Sequence, residues 1–321
     1  MPTVQSIAYL ILTHEDPMQL RALINRLDAA GVRFHVHVDA KKDITPFRRV
    51  VAAKRNVRFC ASRVAVTWAA FSVVEATLRL VEAALNDNPR CERLVLVSGT
   101  DYPLSTSHGI KRFFAQHPRR QFIRRFPILE ADRVQTWKVR GRHFRGLAPR
   151  HSPWRLPLFG FERALRVFPR RMPRGWPLMC GSQWWSLTAD CAHYCLEFPR
   201  RRPDILRFFR NVFAPDEIFF HSVVHNSIFA RDAEPAETFS SVVTETGSLA
   251  HYANLHHLPG MTLSTAEHAA VALRSGKLFA RKFSSRSSAA AIRAIDRQLG
   301  IRASGARFAV HPSRPINVRG H

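Results

Sequence analysis

Leu94-Val95-Leu96-Val97-Ser98-Gly99-Thr100-Asp101-Tyr102-Pro103 is the stretch on which the fold turns. Four apolar residues in succession read as a strand buried on both faces, the habit of a parallel sheet covered by helices on either side. Small and polar residues follow, and Tyr102-Pro103 stops the strand. In open α/β sheets ligands sit beyond the carboxyl ends of the strands, so a site is expected at this turn. An Asx-type turn that closes the strand accounts for the same residues without a ligand.

Working outward, Ile7 to Leu12 reads as a first strand, and Pro17 to Ala30 as a helix with Asp16 as N-cap and Leu20, Leu23, Ile24 and Leu27 at helical spacing. Phe34 to Val38 alternates apolar and polar residues as a second strand ending at Asp39, which completes a βαβ crossover. Val57 to Phe59, a helix over Ser72 to Leu85, the Leu94 strand, a helix over Ile110 to Gln116 and a strand at Gln121 to Ile123 continue the alternation. From about 127 to 177 proline, arginine and tryptophan break the periodicity, and we read an irregular basic insertion with a short helix near Phe161–Val167. Met179 to Leu187 then reads as a strand, Ala189 to Phe198 and Glu217 to Ile228 as helices. The expected organisation is one domain over 1–303 and a disordered tail over 304–321.

The 321 residues are 46% apolar, enough for a substantial core, and lack the run of about 18 apolar residues that a membrane-crossing helix needs. Ile7 to Leu12 has neither a basic segment before it nor a small-residue cleavage site after it, so the expectation is a cytoplasmic protein. Five cysteines without C-x-x-C spacing are expected as buried thiols. Cys191 and Cys195, like His221 and His225, stand four apart but form no convincing metal set. Forty-nine basic residues oppose 24 acidic ones, a net charge of +25, and 18 of the Lys and Arg fall between Lys111 and Arg174. Such a region attracts polyanions: anionic lipid heads, acidic glycan or nucleic acid. Arginine-rich base composition of the gene produces part of the same charge without any ligand.

The Leu94 segment also resembles the Ser-Gly-x-Asp-Tyr-Pro motif of the glycosyltransferase family that contains the core-2/I-branching β-1,6-N-acetylglucosaminyltransferases and the peptide O-xylosyltransferases (glycosyltransferase family 14). Ala8-Tyr9-Leu10-Ile11-Leu12-Thr13-His14 and His35-Val36-His37-Val38-Asp39 are similar to its first two strands, and Val66 to Thr77 to its next block. Gly181-Ser182-Gln183-Trp184-Trp185, Ala214-Pro215-Asp216-Glu217 and Leu278 to Phe283 complete the series in the family's order. The resemblance, which looks like that of a bacterial-type member, implies an α/β fold of the GT-A-like nucleotide-sugar transferase kind, with a mainly parallel central sheet flanked by helices.

It also implies roles. Glu217 matches the family's catalytic base, which takes the acceptor hydroxyl proton as that oxygen attacks the anomeric carbon. On residue types alone, Pro215-Asp216-Glu217 equally suits a helix start, with proline first and acids in the first turn. Lys282 matches the lysine that meets the β-phosphate of the leaving diphosphate, with Arg281 a weaker neighbour. A second basic residue of animal members has no counterpart in Leu255 to Gly260, where His257, or an arginine elsewhere, is the alternative. Thr13, His14 and Asp39 end the first strands, where the nucleotide is recognised. Asp101, Ser98, Glu75 and one face of Trp184 or Trp185 are the sugar-side candidates, and Trp68 is read as structural.

The sequence contains no Asp-x-Asp pair, so neither a divalent metal nor another cofactor is expected. The expected partners are a UDP-sugar, with N-acetylglucosamine first and xylose second, a glycan or glycoconjugate acceptor, and an anionic membrane surface. A nucleic-acid-binding protein is the reading from a different class; it is motivated by charge alone, without a helix-turn-helix, zinc-finger or aromatic RNA-binding motif, and no specific nucleic acid is expected.

Overall fold

The two faces of β1 (Ile7–Thr13) belong to different cores: Ala8 and Leu10 enter one, Ile7, Tyr9 and Ile11 the other. A computed structural model of the chain describes residues 6–128, 133–147, 152–168, 170–235, 251–253 and 262–301. β4 (Arg93–Ser98) divides in the same way, Leu94 and Leu96 against Val95 and Val97. Burial on both sides is why the run carries no polar residue, each side chain contributing about 1.5–3 kcal/mol by leaving water. One layer is the helix α1 (Pro17–Leu27), through Leu20, Leu23, Ile24 and Leu27. The other is α3 (Ser72–Asp87) and α7 (Ala189–Arg201), through Val74, Leu80, Val81, Cys191 and Cys195.

With β2 (Val32–Val38), β3 (Val57–Phe59) and β8 (Ser186–Thr188), the sheet runs β3-β2-β1-β4-β8. The first four strands are parallel and β8 is antiparallel to β4, so the expected mainly parallel sheet between helices is what forms. β1 continues to β2 on one side, while β4 is reached by a crossover to the other. The order therefore reverses between β1 and β4, the position beyond whose carboxyl ends open α/β sheets bind ligands. A second sheet, β5 (Asp101–Pro103), β10 (Phe279–Arg281) and β9 (His251–Ala253), continues from that edge, with β10 antiparallel to β5.

Several expectations are corrected. α1 ends at Leu27 rather than Ala30. Met179 to Leu187 is not one strand: β7 (Met179–Cys180) pairs with β6 (Phe126–Pro127), β8 pairs with β4, and a loop intervenes. Gln121 to Ile123 makes only isolated bridges. Glu217 to Ile228 is not one helix but a 3-10 turn at Pro215–Glu217, helix α9 (Phe219–His225) and a second turn at Ile228–Asp232. The insertion contains two helices, α5 (Arg133–Arg140) and α6 (Arg155–Ala164). The second strand does not present a wet face either, because His35 and His37 are buried. Burial pulls the His35 imidazole down to about 4 and lowers that of His37, whose Nε2 accepts a hydrogen bond from the Val64 amide at 2.8 Å. All five cysteines are buried and free, as expected. The 304–321 tail and Leu255 to Gly260, His257 included, lie outside the described residues.

Candidate functional site

Thr13, Asp39, Ser98 and Asp101 do converge at the carboxyl ends of β1, β2 and β4. The Asp39 amide donates to the Thr13 carbonyl at 2.9 Å, and the Gly99 amide to that of Leu12 at 2.9 Å, which holds the three strand ends together. Gly99 is required there, because a β-carbon would overlap the Thr13 side chain. Ser98 and Asp101 work first within the turn: the Ser98 amide donates to Asp101 Oδ2 at 2.9 Å, and Ser98 Oγ lies 2.8 Å from Thr100 Oγ1. His14 lies on the exposed rim, 3.7 Å from Glu15.

β10 lays two cations against this turn. Arg281 stands opposite Asp101 in the ladder, its Nε 3.3 Å from Asp101 Oδ1, and its guanidinium lies 4.2 Å over the Trp184 ring. Asp101 is only 1% exposed; burial pushes its carboxyl up to about 6 against the opposing pull of Arg281. Arg281 is thus committed to an internal pair. Lys282 is half-buried, and its ammonium has neither a hydrogen bond nor an ion pair among the described residues. Burial, then the Arg281 charge, hold it below the ordinary lysine value. An uncommitted, partly desolvated cation beyond the carboxyl ends of a parallel sheet is suited to an anionic ligand.

Glu217 closes the 3-10 turn at Pro215–Glu217, and two loops tie that turn to the strand ends. The first runs from Asp39, whose Oδ1 accepts from the Val66 amide at 3.3 Å, to Ala69, whose carbonyl accepts from the Ala214 amide at 3.1 Å. Ala69 and Ala214 both adopt left-handed backbone, φ 60° and 47°, a strained geometry for a residue with a β-carbon. The second loop is 181–185. The Gly181 amide donates to the Glu217 carbonyl at 2.9 Å, and Trp184 lies under Arg281. Gly181 has no room for a side chain: a β-carbon would overlap the Arg124 carbonyl oxygen and approach His221 Nε2 to 2.6 Å.

Three residues beside Glu217 were not among the candidates for the site. Lys138 of α5 donates to Glu217 Oε2 at 2.8 Å. Burial pulls its ammonium down, yet the Glu217 charge and hydrogen bond outweigh that and hold it above the ordinary value. Nothing distinguished Lys138 from its many basic neighbours in the insertion. Asp216 is half-buried beside Glu217 with its Oδ1 out of solvent, and desolvation, then the Glu217 charge, push its carboxyl up to about 7. Trp68 is 73% exposed rather than structural, its ring edge-on to Phe213 at 5.6 Å in the first tying loop.

The sugar-side candidates divide. Glu75 is exposed in the first turn of α3, which follows the Trp68 loop. Trp185 is wholly buried against Phe220 at 5.3 Å and offers no ring face to a ligand. Trp184 is also buried, one face covered by Arg281. The strand alternation that was expected to turn one of them outward does not exist, because 181–185 is a loop between two sheets.

A family profile described as "Branch: Core-2/I-Branching enzyme" matches residues 7–240. The chain belongs to the Core-2/I-Branching enzyme family. It is thus a glycosyltransferase-family domain, as the resemblance implied. The matched stretch includes Thr13, Asp39, Asp101 and Glu217 and ends before Arg281 and Lys282. Among curated proteins, Xylosyltransferase oxt of Drosophila melanogaster is 23% identical over 216 residues, 65% of this chain and 23% of the fly protein. Xylosyltransferase 2 of Homo sapiens is 25% identical over 228 residues, 69% of this chain and 25% of the human protein. The match therefore spans about a quarter of the length of these curated relatives. Among solved structures, the WbbM bifunctional glycosyltransferase in its apo form aligns over 93% of this chain and 50% of its own, at 8% identity and a TM-score of 0.38.

Proposed function

We propose that this domain transfers a sugar from a UDP donor to an acceptor hydroxyl with inversion at the anomeric carbon, Glu217 acting as general base. The observation that carries this reading is the carboxylate itself. One oxygen, Oε2, is anchored by Lys138, while Oε1 has no partner among the described residues. The bound ammonium fixes the orientation of the group, and the free oxygen is available to a hydroxyl proton. The departing diphosphate gathers charge as its bond breaks, and Lys282, the uncommitted cation, is assigned to meet it. Arg281 acts through position, holding Asp101 and Trp184 beside that lysine. With no Asp-x-Asp in the chain, this charge stabilisation is assigned to side chains and not to a divalent ion.

N-acetylglucosamine is the proposed sugar, in keeping with the branching-enzyme family. Xylose is the second reading, favoured by the names of the relatives it aligns with. The acceptor is proposed as a glycan or glycoconjugate hydroxyl. The test is hydrolysis and transfer with a panel of UDP-sugars, with and without EDTA, for wild type and Glu217→Gln. Turnover that survives EDTA and falls by about 10²–10⁴-fold in the variant, with UDP binding retained, is the expected result. Turnover lost on chelation, or indifferent to Glu217→Gln, overturns the mechanism.

A further inference from the structure

α6 is built inside out for a helix exposed to water. Its one buried side chain is an acid: Glu162 Oε1 accepts from the Phe144 amide at 2.7 Å, which ties the helix down. Its large apolar side chains are left in solvent. Trp154 at its N-cap is 72% exposed and Leu156 80%, with Phe159, Phe161 and, beyond the helix, Phe168 also exposed. Leu147 joins Trp154, Leu158 and Phe161 around an apolar hollow. Among the described residues no other surface gathers large apolar side chains in this number.

The charge around this face has one sign. Residues 133–174 contain 12 Lys or Arg and a single acid, Glu162. Because that acid is buried, no carboxylate from the segment reaches the surface. A cationic rim around exposed tryptophan, leucine and phenylalanine matches an anionic bilayer surface, where apolar side chains enter the acyl boundary and arginines meet lipid phosphates. A nucleic-acid face would place its cations at the centre and has no use for exposed leucines. No helix among the described residues is long and apolar enough to cross a membrane, so contact here is lateral.

We propose that α6, with Leu147 and Phe168 beside it, forms a peripheral docking surface for anionic lipid. This contact does not depend on the catalytic reading, although the two are linked through the chain. Phe144 lies 5.9 Å from Phe161, and the stretch that carries Phe144 also carries Lys138, the partner of Glu217.

The test is flotation of the full chain with vesicles of phosphatidylcholine alone or mixed with phosphatidylglycerol, followed across a salt series. Expected are recovery with anionic vesicles at least about tenfold above neutral ones, and a comparable loss in Leu156→Asp/Phe159→Asp at unchanged melting temperature. If that variant fails to fold, Arg155→Glu/Arg163→Glu tests the rim, with the same loss expected. Equal recovery with neutral vesicles, or recovery untouched by either variant, overturns the proposal. So does a dimer in solution that Leu156→Asp dissolves, which would assign the face to a second copy, or duplex RNA binding that Leu156→Asp/Phe159→Asp removes.

Discussion

Lys138 and Glu217 meet at 2.8 Å between Nζ and Oε2, which joins a helix of the basic insertion to the turn that carries the candidate base. Lys138→Met removes the ammonium that anchors Oε2 and holds the carboxylate in one orientation. Turnover is expected to fall by about 10–10²-fold, while KM for the donor stays within about threefold. A variant with wild-type kcat rules out this positioning role.

Lys282→Met removes the free cation of the strand-end cluster. Turnover is expected to fall by about 10²–10³-fold, the usual loss on deleting one charge-stabilising group, and UDP to protect the variant less against heat. Arg281→Met acts differently, because it leaves Asp101 buried without its counter-charge. About 3–5 kcal/mol of stability is lost, and much of it returns in Arg281→Met/Asp101→Asn. Denaturant midpoints of the single and double variants decide the point.

Asp216 gives a pH dependence of stability with a definite sign. Its carboxyl titrates near 3.8 in the unfolded chain and at about 7 in the fold. Between those values the native state holds a proton that the unfolded state releases, so this residue's contribution declines as pH rises through about 7. Asp216→Asn therefore resembles wild type near pH 4 and is the more stable of the two at pH 8. Melting curves at both pH values check it; equal melting temperatures at pH 8 would contradict it.

Gly181→Ala puts a β-carbon into the Arg124 carbonyl oxygen. Either β6 and β7 separate or the 181–185 loop moves off Glu217. Destabilisation of about 1–3 kcal/mol is expected, together with lost turnover. The spectroscopic readout is tryptophan fluorescence, since Trp184 and Trp185 ride on the displaced loop.

The doubly buried strand at Leu94 was legible because every side chain in it meets one core or the other, so no compromise with solvent blurs the pattern. His35 and His37 misled for the opposite reason. A local hydrogen bond at one and burial at both keep them neutral in an apolar setting, and alternation by residue type cannot register that. Met179 to Leu187 read as one strand because apolar content survives when a chain leaves one sheet and enters another. Asp39, Asp101 and Glu217 were picked out through ordered motifs. Lys138 was not, because its role lies in one contact across 79 positions of sequence and its neighbours share its charge. Trp68 escaped because exposure is set by the whole fold.

β10 reaches back to lie beside β5, so Asp101 receives its counter-charge from one of the last elements of the described chain. A nascent polypeptide can assemble β1 to β4 on the ribosome well before residue 281 emerges. Until then an aspartate made early must stay protonated or hydrated, and the cluster of strand ends beside it remains unfinished during translation.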